Sequence, residues 1–158
     1  MPNPVSIIET FSPDTILQSL LGAWTIERRV DDAATLTGNA TFERSREGEA
    51  VYHEQGTLRL STGYEAAAER KYLYRQSPDG FAVFFAERPP RLFHEVTLAR
   101  AADGCLIGAA DHACADDLYR TEYQFEPGAN FVICHRVRGP RKAYTMTTVY
   151  RRMADTDR

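Results

Sequence analysis

The sequence predicts an all-β fold: a single up-and-down antiparallel β-barrel of about ten strands with one short N-terminal helix. Three observations carry that prediction. The apolar period changes from about 3.6 to 2 at Trp24 and keeps the shorter value almost to the C-terminus. Turn signals rich in Gly, Pro and Asp cut the same stretch into strand-length runs. Gly22 stands two positions before the only Trp of the chain. A glycine there allows a tight turn out of the helix, and the indole is large enough to plug one end of a closed sheet.

Residues 1–11 read as an arm laid over the domain, followed by a helix at 13–21 and a barrel at 24–152, all within one domain spanning 1–158. Ser12 is the expected N-cap, Pro13 fits the first helical position, and Asp14 suits the positive end of the helix dipole. Ile16, Leu17, Leu20 and Leu21 recur at helical spacing and form one apolar face. Strands are expected near 24–31, 35–45, 50–60, 64–76, 80–87, 91–99, 104–111, 117–126, 130–138 and 143–152. Tight links between them favour a barrel, with a two-sheet sandwich as the alternative.

The chain has 158 residues, enough for one domain with a sizeable core. A net charge of −3 without a dominant Lys/Arg cluster argues against a nucleic-acid partner. No run approaches the ~20 apolar residues a membrane-spanning helix needs. No basic N-terminal region followed by an apolar run is visible, and three Cys (Cys105, Cys114, Cys134) cannot all pair within one chain. A reduced, cytoplasmic setting is the simplest expectation. The pattern leaves monomer and homodimer both open.

Side chains alternate across a strand, so each run has two faces. The expected inner rows are Trp24, Ile26, Arg28 and Val30, then Leu36, Gly38, Ala40 and Phe42, then Tyr52, Glu54, Gly56, Leu58 and Leu60. They continue with Ala66, Ala68, Arg70, Tyr72 and Tyr74, and later Leu92, His94, Val96 and Leu98. The last three rows hold Tyr119, Thr121, Tyr123 and Phe125, then Phe131, Ile133, His135 and Val137, then Tyr144, Met146, Thr148 and Tyr150. The run 80–87 is apolar on both faces and has no assigned side. Such an interior is a cavity with polar handles, in which Gly38, Ala40, Gly56, Ala66 and Ala68 make room. Two arginines against one glutamate leave it positive. The expected ligand is a small anionic or aromatic molecule. Arg28 and Arg70 would hold its acid group, and Tyr72, Tyr74, Tyr119, Tyr123 and Tyr144 would line the walls. The plainer alternative pairs Glu54 with Arg70 and sends Arg28 to water at the mouth.

Asp111-His112-Ala113-Cys114 followed by Asp116-Asp117-Leu118-Tyr119 is the most unusual polar cluster. On an extended chain His112 and Cys114 face one way, as two weak candidate metal ligands. A full site needs three or four donors, so a turn in which Asp111 and Asp117 bond loop amides is the simpler account. Arg138, Arg141 and Lys142 put positive charge on one hairpin, either a solvated turn or a basic lip guiding an acidic ligand.

Gly22-x-Trp24, the strand count and a late arginine, Arg151 or Arg152, together resemble the calycin superfamily of lipocalin and fatty-acid-binding barrels. Tyr52-His53-Glu54-x-Gly56, Ala110-Asp111-His112-x-Cys114-x-x-Asp117-x-Tyr119 and Gly139-Pro140-Arg141-Lys142-x-Tyr144 resemble a lipocalin-like bacterial domain family of unknown function. That likeness runs over nearly the whole chain from about residue 16. It implies the barrel, implies that the late arginine packs across Trp24, and specifies no cofactor or activity. Nitrobindins, calycin relatives, hold haem through one His, which makes His53, His94, His112 and His135 the candidates here. Ile26 and Arg28 occupy places where nitrobindins have glycine. Calycin-like phenolic acid decarboxylases use Tyr and Arg on the substrate acid and Glu for proton transfer. By that resemblance Glu54 is the candidate catalytic residue, needing a carboxyl pKa raised by burial.

Overall fold

The computed structural model describes residues 11–153. Of the expected arm only Phe11 falls within them, buried with its ring 5.2 Å from that of Phe125. A 3-10 turn at Pro13–Thr15 runs into the α-helix α1 (Ile16–Leu20), which buries Ile16, Leu17 and Leu20. Ser12 precedes the turn in an extended conformation, but its side chain caps nothing. Instead Gln76 of the barrel fixes this segment, accepting from the Leu17 amide at 2.9 Å and donating to the Pro13 carbonyl at 2.8 Å. The chain leaves the helix through Gly22 at φ +119, a conformation glycine alone adopts without strain.

Eleven strands follow. They are β1 (Gly22–Val30), β2 (Ala34–Arg46), β3 (Glu49–Leu60), β4 (Glu65–Ser77), β5 (Gly80–Phe85) and β6 (Arg91–Thr97). Then come β7 (Ala99–Arg100), β8 (Leu106–Cys114), β9 (Asp117–Phe125), β10 (Phe131–Arg138) and β11 (Ala143–Arg152). All pairings are antiparallel, in the order β6-β5-β4-β3-β2-β1-β11-β10-β9-β8-β7. The first and last strands pair from Trp24–Arg152 to Val30–Met146, which curls the sheet into a nearly closed barrel. Only the seam between β6 and β7–β8 lacks a hydrogen-bond ladder. Among the described residues no helix is long and apolar enough to cross a membrane.

The strand at 91–99 divides into β6 and the two-residue β7, and the strand at 104–111 runs on to Cys114. Asp111-His112-Ala113-Cys114 is therefore extended chain, and the hairpin turn is Ala115-Asp116, with Ala115 at φ +56. Asp111 pairs with Arg120 across the outer wall at 3.2 Å, and Asp117 with Lys142 at 3.4 Å, so neither binds loop amides as expected. On β6 a bulge opposite Val83–Phe84 turns Phe93 and His94 both inward and leaves Leu92 exposed, which corrects the expected row. Leu60, at the rim of β3, is exposed as well. The unassigned run points Phe81 and Val83 inward. Gly38 and Gly56 oppose each other, and a Cβ on Gly38 would meet the Gln55 carbonyl oxygen at 2.1 Å. Their requirement is close backbone approach, not cavity space.

One end is sealed. Trp24 is fully buried, donates Nε1–H to the Leu20 carbonyl at 2.9 Å, and meets Phe131 edge-on at 4.8 Å. The late arginine is Arg152, its guanidinium 4.1 Å above the indole and donating to the Leu21 and Ser19 carbonyls at the helix end. Arg151 lies outside, paired with Glu27. Arg152→Lys is expected to cost about 1 kcal/mol, since an ammonium loses the planar stack and one carbonyl contact. Emission from the sole tryptophan should shift with it, and unchanged emission and stability would show the stack to be idle.

Candidate functional site

Going from the sealed end toward the open one, β11 presents Tyr150, Thr148, Met146 and Tyr144, and β10 presents Phe131, Ile133, His135 and Val137. β4 runs from Tyr74 through Tyr72 to Arg70, and β9 from Phe125 through Tyr123 and Thr121 to Tyr119. The interior is thus stratified. Aromatic rings fill the base, a polar network crosses the middle, and a cavity of about 280 Å³ occupies the open end.

The middle layer is built around Arg28. Its guanidinium donates to both oxygens of Glu54, at 2.6 and 2.8 Å, and its Nε–H to Thr148 Oγ1 at 2.7 Å. Tyr52 donates to Glu54 Oε1 at 2.5 Å and bonds the Tyr150 hydroxyl at 2.7 Å. Both charged partners are buried. Burial pushes the Glu54 carboxyl up, but the Arg28 bonds and charge outweigh it and hold the group below the usual carboxylate range. Burial, with the Glu54 charge beside it, sends the Tyr150 phenol up to about 12 against the opposing pull of Arg28 and the Tyr52 hydrogen bond. These values correct two expectations: Arg28 reaches neither water nor the ligand space, and Glu54 lacks the raised pKa of a general acid.

The cavity walls come from β4, β5, β6, β8, β9, β10 and β11. Of the residues singled out in the sequence, Arg70, Tyr72, Tyr119, His135 and Tyr144 line it. Arg28, Glu54, Tyr74, His94 and Tyr123 do not, because they lie deeper, within the packed layers. Tyr74 joins the basal aromatic stack against Phe81, and Tyr123 bonds His94 Nε2 at 2.7 Å. His94 is buried with Nδ1 unpartnered, and desolvation lowers its pKa to about 4. His112 and Cys114 do share a face, as the alternation predicts, and that face is the cavity wall. Among the described residues no group of three or more His, Cys, Asp or Glu gathers in a way that could hold a metal ion. Of the haem candidates, His112 and His135 reach the cavity, whereas His53 lies on the outer wall 2.5 Å from Glu69.

Three wall residues escaped the sequence reading, Phe85, Arg91 and Phe93, whereas Val137 and Met146 line the cavity as their inner rows predict. Tyr72 and Phe93 lie nearly parallel at 6.0 Å, and Phe93 meets His112 edge-on at 5.1 Å. The Arg91 guanidinium sits 4.1 Å over the Phe85 ring and is neutralised by Glu87 at 3.0 Å. Lys142 is taken up by Asp117, while Arg138 and Arg141 lie exposed on their hairpin. Arg70 is different. It is half-buried, lines the cavity, and has no hydrogen bond or ion pair with any described residue. Since Arg28 and Glu54 cancel, Arg70 is the interior's surplus charge. His135, with Nδ1 2.9 Å from Thr121 Oγ1, is held neutral: desolvation first, then Arg70 and Arg28, lower its pKa to about 3.

A nearly closed antiparallel barrel, sealed by Trp24 and hollow at the other end, is the class this geometry defines. The chain belongs to a family of unknown function, DUF6314, whose sequence profile matches residues 20–152. No curated protein matches the sequence. Among solved structures, the S-type phycobiliprotein lyase CPES from Guillardia theta has a TM-score of 0.61 and 7% identity, covering 98% of this chain and 99% of that one. EF1p2_mFAP2b, solved bound to DFHBI, has a TM-score of 0.46 and 15% identity, covering 90% of this chain and 100% of that one. At 7% identity the likeness to the lyase is one of fold.

Proposed function

We propose that this chain binds a small aromatic carboxylate in the open-end cavity. One observation carries the reading: a half-buried arginine with no hydrogen bond or ion-pair contact to a described residue faces a space walled by Tyr72, Phe85 and Phe93. A guanidinium so placed gains most from a carboxylate, which accepts two parallel N–H bonds, while the rings favour a flat apolar body. The cavity of about 280 Å³ has the volume of roughly nine waters at ~30 Å³ each, the scale of a one-ring acid. The Arg152–Trp24 stack, with Gly22 two residues before the indole, also supports a kinship with the calycin superfamily.

Benzoate is the test probe, followed by calorimetry or ligand-detected NMR. Arg70→Met should keep the fold and weaken benzoate binding about tenfold to a hundredfold, the weight of charge-assisted bonds. Equal binding of benzoate by wild type and the variant would overturn the assignment.

A further inference from the structure

Resting on that reading, the geometry points to His135 as a second anion-binding residue, a neutral donor whose ring tautomer is set by the buried hydroxyl of Thr121. The site would then recognise an acceptor-only group, a carboxylate in preference to a carboxamide.

Thr121 is fully buried, and its hydroxyl has one partner, His135 Nδ1 at 2.9 Å. Two arrangements satisfy that distance. If Nδ1 carried the proton and donated to Oγ1, the Thr121 hydroxyl proton would be left buried without an acceptor, an unsatisfied donor that folding penalises. If Thr121 donates to a bare Nδ1, every proton is used, and the imidazole hydrogen must sit on Nε2. Nε2 has no partner among the described residues. It also is not among the buried unpartnered atoms, of which His94 Nδ1 is the one described, so it opens on the cavity His135 lines. The charged groups around the ring leave it neutral, because Arg70 and Arg28 oppose a second proton more than Glu54 favours one.

The guanidinium on this wall agrees. Arg70 can only donate. A carboxylate satisfies Arg70 and His135 Nε2–H together. A carboxamide brings two N–H groups that Arg70 and His135 Nε2–H cannot accept, so part of its polar surface stays unpaired on burial.

The experiment combines long-range proton–nitrogen NMR of the imidazole rings with benzoate and benzamide titrations at neutral pH. In wild type the His135 ring should show a protonated Nε2 and a bare Nδ1, and Thr121→Val should shift it toward the other tautomer. His135→Phe should weaken benzoate about threefold to tenfold, the range of one neutral hydrogen bond, and narrow the preference over benzamide. His135→Gln, which keeps a donor, should recover part of the loss. A protonated Nδ1 in wild type would overturn the inference. So would His135→Phe binding benzoate as tightly as wild type while Arg70→Met has lost it, an outcome that leaves the aromatic-acid site standing. Wild type that binds no benzoate would instead remove the site itself, with the His135 spectrum still deciding the tautomer.

Discussion

Glu54→Ala is expected to lower the unfolding free energy by about 3–5 kcal/mol, the cost of leaving a buried partner charged and alone. The reason lies in what the substitution leaves behind. Arg28 stays protonated at any accessible pH, and its guanidinium would keep only the Thr148 contact of its present three. Tyr52 would lose its acceptor as well. Glu54→Gln retains an oxygen for one bond yet removes the charge, so it should fall between wild type and alanine. The double variant Arg28→Met with Glu54→Leu removes both charges together and should regain most of the loss, since an apolar pair of similar volume avoids both desolvation costs. Urea denaturation of the four proteins measures this. A loss under about 1 kcal/mol for Glu54→Ala would mean that water reaches Arg28 and that the middle layer is not dry.

The barrel was legible because its cues are local. Period-two alternation, Gly and Asp at the turns and Gly22 before Trp24 each act within a few residues. Most inner rows follow from parity alone, and Arg28, Glu54, Arg70 and Tyr72 all point inward as alternation requires. Parity fails where the backbone count changes. The β6 bulge adds a residue opposite Val83–Phe84, so Phe93 and His94 both face in and Leu92 goes out. Nothing in the composition of 91–97 marks that extra residue.

Depth was the second illegible quantity. Alternation says inside or outside but not how far along the barrel axis a side chain sits, and that depends on strand stagger. For this reason the partner of Glu54 came out reversed. Arg70 is its direct cross-strand neighbour, whereas Arg28 comes from two strands away and reaches it through the interior. The same stagger sinks Tyr74 and Tyr123 into the aromatic layers while Tyr119 and Tyr144 stay at the cavity. Phe85 was unreadable because its run is apolar on both faces, so no period separates them.

Acid should destabilise this barrel earlier than its carboxylates alone would. His94 and His135 have native pKa values near 4 and 3, against about 6.5 for an unfolded histidine. Below pH 6.5 the unfolded chain therefore binds protons that the folded chain refuses, and stability falls as the pH falls. The penalty is absent above 6.5, grows by up to about 1.4 kcal/mol per pH unit for each ring, and stops growing once the native pKa is passed. Between pH 7 and 5 that is at most about 2 kcal/mol per histidine, less for half-buried His135, which can relax toward water more easily than His94. Glu54 has its native pKa below its ordinary value, so its contribution is lost only at lower pH, through and below the usual carboxylate range. The two windows can be separated by urea denaturation at pH 7, 6 and 5. Wild type should weaken steadily across them, and a variant carrying His94→Gln and His135→Gln should be nearly flat there while starting from a lower stability. A wild-type profile as flat as that of the double variant would mean that both rings take up protons freely in the folded state, and the dry polar interior would have to be abandoned.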